Sequence, residues 1–450
     1  LTAKSALPTA DYFDLFDQIV DDDWVDIVFK RHGRKWHVMR GLVDEIRQDT
    51  RVSGTGATAI TFTITGRDFG KVWEQTPVWF STQAAENVHG HVAARVFTTK
   101  VDQEDSNVSG DSLILRSPAA AVRGYLFGFL EQLEGFGRAN WNPPKTMPNI
   151  ATDDNGFPSF INSLFFNLAG FSDLPKRTCI DPNFIMAGGT LWDLAKEWSD
   201  PLFTELFVDL FVQGSQAFQG VEAPIDDTTM TVVFRDKPFP IARDPEFWTG
   251  SSGKDSYWFS LPEFIIPREA IVGKSIGRTG LERYNAFFVN SPLYQETLGG
   301  NAIDMVAPLW NKDEILRHGL RRFDVNSKYG VPGTDEKKLL NLVEEQREII
   351  RDWYVMNPYL RNGTIELGVG MPDIRVGSRA RIPGAKSKDQ DESYYIETVS
   401  HNWAFGPGTK TSLGVTRGWR GTDESYLDAL DQLNRTYEIE RTARASEAGS

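Results

Sequence analysis

The sequence predicts an α+β fold rich in β-structure, and three features point there. Apolar residues alternate with Thr in short runs, most clearly Ile60, Phe62 and Ile64 against Thr61, Thr63 and Thr65. A period of two marks a half-buried strand. The 39 Gly and 23 Pro supply frequent reversals, as a chain of many short strands requires. Helical spacing of apolar residues is confined to a few segments. Asp335 to Trp353 is a clear case, with Leu339, Leu342/Val343, Ile349/Ile350 and Trp353 on one stripe.

At the start of the chain, seven Asp fall between Asp11 and Asp26. They lack the Gly and Glu spacing of a calcium loop and read as a solvated acidic arm. Val25 to Phe29 and Trp36 to Val43 flank a polar loop containing Gly33, which makes a hairpin. A second turn at Ser53–Gly56 leads into the alternating strand that Gly66-Arg67-Asp68 closes. Between Asp111 and Trp198 the pattern becomes mixed and more helical. Phe160/Ile161, Leu164/Phe165, Leu168 and Phe171 recur at helical spacing, which predicts a short helix packed on a core or a neighbouring subunit. Pro158, Asn162 and Asn167 argue against a membrane span there. Thr190 with Asp193 three residues later forms a capping-box pattern ahead of Leu191–Trp198.

Leu206 to Val212, between Pro201 and Gly214, is short enough for a buried strand, and Met230, Val232 and Phe234 alternate as its companion. Residues 241 to about 335 read as loop-rich. Thr364 to Val369 is a strand, Ile374-Arg375-Val376 leads to Gly377, and Tyr394–Trp403 with Thr411–Thr416 forms a hairpin across Phe405–Lys410. From Thr422 onward Tyr426, Leu427, Leu430, Leu433 and Tyr437 mark an amphipathic helix. It is either an arm for a partner or a helix that packs on its own chain. One internal echo stands out. Gly41-Leu42-Val43-Asp44-Glu45-Ile46 and Ile396-Glu397-Thr398-Val399 each precede a Gly-containing turn and a Thr-rich strand ending at an Arg beside a Gly, Arg67 and Arg417. Two copies of one β-motif are expected.

The 450 residues suggest about three domains. A formal charge of −14 argues against a protein whose main task is gripping a phosphate backbone. Cys179 is the single cysteine, so neither an intrachain disulfide nor a cysteine-based zinc site can form, which fits a reducing compartment. No basic and apolar leader precedes Ala10.

Enzyme signatures fail one by one. Gly273-Lys274-Ser275 has Arg268 where a phosphate loop needs Gly. Gly368-Val369-Gly370 lacks the third glycine of a dinucleotide fingerprint. His89 and His91 share one face of a strand, but Glu86 falls on the other, so a metal site lacks its third ligand. No catalytic, cofactor-binding or metal residue is therefore expected, and no cofactor.

Several strings together resemble one family. They are Gly41-Leu42-Val43-Asp44 with Thr63 to Phe69, Leu191-Trp192-Asp193-Leu194, Glu205 to Asp209, Val233 to Phe239, Asp373 to Gly377 and the Tyr395–Gly418 hairpin. Their order from about residue 25 to 420 resembles the baseplate or tail-tip hub subunit of tailed bacteriophages, related to the late control D proteins and the trimeric base of type VI secretion spikes. The resemblance implies two tail-tube-like β-barrels joined by mixed α/β domains. The division it implies is an arm at 1–23, a first barrel at 24–110 and a mixed helical domain at 111–203. A second barrel follows at 204–240 plus 360–420, with an inserted α/β domain at 241–359 and a helical tail at 421–450.

The implied role is structural and non-enzymatic: a homotrimer in the virion, assembled in the host cytoplasm, that joins the hexameric tail tube to the central spike. Its implied partners are tail-tube or distal tail subunits, the spike or tip protein and the tape measure protein. DNA passes transiently through the channel, with no stable membrane insertion. Two other classes compete. A tail-associated peptidoglycan hydrolase would need more than the roughly 30 residues after Gly421. A carbohydrate-binding adhesin is suggested by the 13 Trp.

Overall fold

The computed structural model describes residues 2–4, 19–31, 33–52, 56, 58–77, 98–99, 114–115, 118, 122, 126, 164–167, 179–180, 189–210, 230–238, 258, 261–290, 309–330, 336–404 and 408–448. It is an α+β, β-rich protein, and two of its sheets repeat one arrangement. The first holds β1 (Thr2–Lys4), β2 (Trp24–Arg31), β3 (Arg34–Val52) and β4 (Thr58–Asp68), in the order β1-β4-β3-β2 with every pair antiparallel. The second is six-stranded and contains β11 (Glu263–Ile265), β12 (Ile271–Gly277), β17 (Arg361–Leu367), β18 (Arg379–Ile382), β19 (Glu392–Ala404) and β20 (Gly408–Arg420). Its four inner strands run β17-β20-β19-β18, again all antiparallel. The sequence order 1-2-3-4 and 17-18-19-20 thus folds into the same strand order twice.

The second sheet curls around its own core. Ile365 and Leu367 of β17, Ile396 of β19, and Leu413 and Val415 of β20 meet Ile266, Ile374 and Ile382 in one buried cluster. Each fully buried aliphatic side chain of this kind contributes about 1.5–3 kcal/mol. The outer edges of this sheet, β11 and β12, are joined only by residues 266–270, so the curl brings them near each other.

Between the repeats lies a third sheet, β7-β10-β9, built from β7 (Leu164–Asn167), β9 (Thr204–Leu210) and β10 (Met230–Asp236). The helix expected around Leu164 is therefore replaced, at Leu164–Asn167, by a strand parallel to Met230–Val233. The edge of β10 offers backbone partners that helical spacing cannot reveal, and Phe165 and Phe166 suit a strand as well as a helix. The remaining residues of 155–172 lie outside the described set, as does most of the acidic arm.

The segment expected to be loop-rich carries β11 and β12, and also a sheet of β13 (Ala286–Asn290), β14 (Leu309–Trp310) and β15 (Arg322–Asn326). Those strands are short and interrupted by turns, so periodicity misses them. Two-stranded pairs join β5 (Thr98–Thr99) to β6 (Ile114–Leu115), and β8 (Cys179–Ile180) to β16 (Tyr329–Gly330).

Helices α1 (Lys71–Gln75), α2 (Leu191–Trp198), α3 (Lys312–His318), α4 (Glu336–Tyr354) and α5 (Asp423–Ala448) join these strands, with short 3-10 turns at Arg268–Ala270 and Lys388–Gln390. The cap of α2 forms as its sequence pattern requires. Asp193 N–H donates to Thr190 Oγ1 at 3.1 Å, and Thr190 N–H donates back to Asp193 Oδ2 at 3.1 Å. An aromatic row runs Trp24–Phe69–Trp73–Trp192 with centroids 5.8, 5.2 and 6.0 Å apart, fastening α1 and α2 to the first sheet. The tail helix α5 packs on its own chain: Tyr426, Leu430 and Tyr437 are buried in the same core, and Asn434 Nδ2 donates to Asp352 Oδ1 on α4.

Candidate functional site

The repeated sheets share a local irregularity as well as a strand order. In the first, Val43 pairs with Gly66 and Glu45 with Thr65, so Asp44 bulges out of β3. In the second, Ile396 pairs with Val415 and Thr398 with Gly414, so Glu397 bulges out of β19. A bulge leaves its extra residue unpaired in the ladder and turns its side chain to new partners. Asp44 accepts from Arg67 Nε at 2.9 Å and Nη2 at 3.1 Å, while Glu397 accepts from Thr416 Oγ1 at 3.0 Å. By register, Arg67 and Thr416 are equivalent, each facing the residue two before the bulge, Leu42 and Tyr395. The sequence echo had matched Arg67 with Arg417. Counted from the two bulges, the position that matches Arg67 is Thr416; Arg417, one further along β20, lies opposite a second irregularity between Ser393 and Tyr395 of β19 and adopts φ 53°.

The first bulge also neutralises a buried cation. Lys71 is 2 % exposed, with its Nζ 2.6 Å from Val43 O, 2.6 Å from Asp22 and 3.0 Å from Asp44. Burial alone would lower its pKa, but the hydrogen bonds and charges of Asp22 and Asp44 more than offset this and hold it above the usual lysine value. The Arg67 hydrogen bond, opposed by partial burial and helped by Lys71, keeps Asp44 below the usual carboxylate range.

β9 and β10 belong to a different hydrogen-bonded sheet from β17–β20, and side chains join the two. Arg235 Nε donates to Glu205 Oε2 at 2.9 Å, and its Nη2 donates to Gly377 O at 2.8 Å and to the Tyr395 hydroxyl at 3.0 Å. The Tyr395 hydroxyl donates in turn to Glu205 Oε1 at 2.6 Å. Gly377 sits at φ +74°, and a Cβ there would lie 2.4 Å from Arg235 Nη2. Only glycine lets the loop approach this closely.

From that same loop, between β17 and β18, Arg375 reaches the first sheet. Its Nη1 donates to Val38 O at 3.0 Å and its Nη2 to His37 O at 2.5 Å, with Asp209 Oδ1 3.7 Å from Nη1. A cleft of about 390 Å³ opens at this seam between β2, β3, β9 and β19, lined by Phe29, Met39, Asp68, Asp209, Arg375 and His401 among others. Burial pushes the Asp209 carboxyl up against the opposing pull of Arg375, and burial likewise raises Asp68. The His401 imidazole is pushed down to about 4 by burial and by the positive charge of Arg375.

Of the residues singled out in the sequence search, Gly273-Lys274-Ser275 lies in β12, extended rather than looped, with Lys274 bound to Glu392. Gly368-Val369-Gly370 follows the end of β17. His89, His91 and Glu86 lie outside the described residues. Among the described residues no three or more His, Cys, Asp or Glu are grouped to hold a metal ion, and no helix is long and apolar enough to cross a membrane. Glu205, Asp209, Arg235 and Arg375 had no role assigned from sequence. Their signal was a charge set within an apolar run, as in Leu206-Phe207-Val208-Asp209-Leu210.

No protein-family model matches the chain, and no curated protein matches it. Among solved structures, the chain is similar to the tail protein from Neisseria meningitidis MC58 at 12 % identity and a TM-score of 0.42, over 84 % of this chain and 80 % of that one.

Proposed function

We propose that the chain is a structural subunit of a bacteriophage tail, the hub at its baseplate or tip, with three copies closing into a ring. One observation carries this reading: the chain holds two copies of one four-stranded unit, β1–β4 and β17–β20, with the same strand order and an equivalent bulged acid. A tube of hexameric rings and a threefold spike meet most simply through a subunit that carries the tube-like unit twice, because three such chains present six near-equivalent surfaces. Closed cyclic symmetry also stops the assembly from running on into a filament.

On this reading 24–110 and 204–240 with 360–420 supply the two tube-like barrels, and 111–203 and 241–359 are the domains between and around them. The neighbours are the tube or distal tail subunits, the spike or tip protein and the tape measure protein, and DNA crosses the ring during ejection. The role is non-enzymatic and the location is the virion tail. The test is an averaged image of the tail end carrying a label on this chain. Three labels around one ring are expected; six labels, or none at the tail end, would sink the proposal.

A further inference from the structure

Where two charged residues stand opposite each other in the described sheets, they carry opposite signs everywhere except at one hairpin tip. Asp26 stands opposite Arg40, Glu205 opposite Arg235, Glu263 opposite Arg379 and Glu392 opposite Arg420. At the tip of the β2–β3 hairpin the rule reverses twice in succession: Lys30 stands opposite Lys35, and Arg31 opposite Arg34. Like charges directly opposite destabilise a ladder, so these two pairs work against the fold.

No nearby acid relieves them. Between Asp26 and Asp44 the chain carries Lys30, Arg31, Arg34, Lys35 and Arg40 and not one Asp or Glu. Asp26 engages Arg40 through bonds of 2.7 and 2.9 Å, which leaves four cationic residues at the tip. Lys30 and Lys35 are exposed, and neither forms an ion pair among the described residues. Exposed cations elsewhere do pair, as Arg47 does with Glu45, Arg322 with Asp324 and Arg435 with Asp431. The ribbon beneath the tip is fastened to the second repeat. Phe29 meets His401 edge-on at 5.8 Å, and Arg375 donates to the carbonyls of His37 and Val38. A group held in place beforehand loses less entropy on binding.

Charge density identifies the partner. An antiparallel ribbon rises about 3.4 Å per residue, so two cations per step amount to one charge per about 1.7 Å. Duplex DNA presents one phosphate per about 1.7 Å of its axis. An extended acidic peptide offers half that density, one carboxylate per step of about 3.4 Å. A two-stranded ribbon also fits the major groove. The chain's charge of −14 is spread over 450 residues. Charges more than about 10 Å away are largely screened at about 0.1 M salt, so the four cations dominate at contact.

We propose that the tip of the β2–β3 hairpin is a contact for the phosphodiester backbone of duplex nucleic acid, made without regard to base sequence. The inference does not depend on the tail-hub reading, because it rests on register and charge at one hairpin.

The probe is a fluorescently labelled DNA duplex of about 20 base pairs, titrated with the full chain while anisotropy is followed. Four phosphate contacts predict that affinity falls about 150-fold as salt rises from about 50 to about 200 mM. Lys30→Gln combined with Lys35→Gln is expected to weaken binding at the lower salt and to reduce that fall to about 12-fold. The same double variant should melt no lower than the parent, because it removes a repulsive pair. Lys30→Arg combined with Lys35→Arg keeps the charge and is expected to bind as the parent does. Absence of binding at the lower salt, or an unreduced salt dependence in the glutamine variant, overturns the proposal. So does poly-L-glutamate that displaces the duplex at equal charge concentration, since the tip would then fit an acidic protein surface equally well.

Discussion

Asp44 and Glu397 occupy the same position in the two sheets: each is the acid bulged from a central strand, and each accepts from the residue at one equivalent position of the next strand, Arg67 or Thr416. Their surroundings differ. Asp44 helps neutralise the buried Lys71, whereas Glu397 is exposed.

That difference makes the pair unequal in stability. Asp44→Ala is expected to cost about 1.5–3 kcal/mol, the value of a hydrogen bond to a charged group, with Asp22 retaining part of the Lys71 charge balance. Glu397→Ala, at an exposed site, is expected to stay within about 0.5 kcal/mol. Urea unfolding of the two variants beside the parent measures both. Equal losses would show that the Lys71 network contributes nothing beyond the bulge itself.

Gly41 faces Asp68 across the ladder, and a Cβ there would lie 2.0 Å from Arg67 O, which is backbone and cannot swing away. Gly41→Ala is expected to destabilise the chain by about 1–3 kcal/mol through overpacking. Gly280 has open space around its Cβ position. Gly280→Ala serves as the control and should leave the melting temperature essentially unchanged.

The α2 cap depends on two reciprocal bonds between Thr190 and Asp193, and Leu191 N–H donates to Thr76 O beside them. Thr190→Ala is expected to cost about 1 kcal/mol. Thr190→Ser, which keeps the hydroxyl, should recover most of that loss. The Thr190 bonds hold Asp193 below the usual carboxylate range, so the contribution is present at neutral pH and fades as pH falls through the folded-state value.

His401 sets a second pH dependence. Its folded-state pKa of about 4 lies below the ordinary 6.5, so between those values the unfolded chain takes up a proton that the folded chain refuses. Stability therefore falls as pH drops through that window. Asp68 and Asp209 act in the opposite sense, since burial raises both and their protonation favours the folded state. His401→Gln is expected to flatten the stability curve between pH 6.5 and 4 relative to the parent. An unchanged slope in denaturant titrations at matched pH would rule out a buried neutral imidazole.

Much of the local architecture was legible in the residues. The Thr-rich alternation of β4, the Thr190–Asp193 cap, the hairpin of β19 and β20 and the stripe of α4 all formed where their patterns placed them. Each depends on interactions within a few residues or across one turn. The echo between the halves was legible too, but its register was not. Counted from the bulges at Asp44 and Glu397, the position matching Arg67 is Thr416 rather than Arg417, and a bulge leaves no mark in a period-two pattern.

By itself the sequence determined the β-rich class, the positions of the longer strands and helices, and the presence of a repeated motif, because hydrophobic period and capping chemistry act locally. Only the tertiary structure decided that Leu164–Asn167 is a strand and that α5 lies against α4 and the core rather than apart from them. It alone brought Arg375 to His37 and Val38, more than 300 residues away in the chain. Such choices turn on which distant surface supplies the missing backbone partner or covers the apolar face. A buried arginine finds its acceptors only after both sheets have formed, so the seam and its cleft belong to the fold rather than to any stretch of sequence.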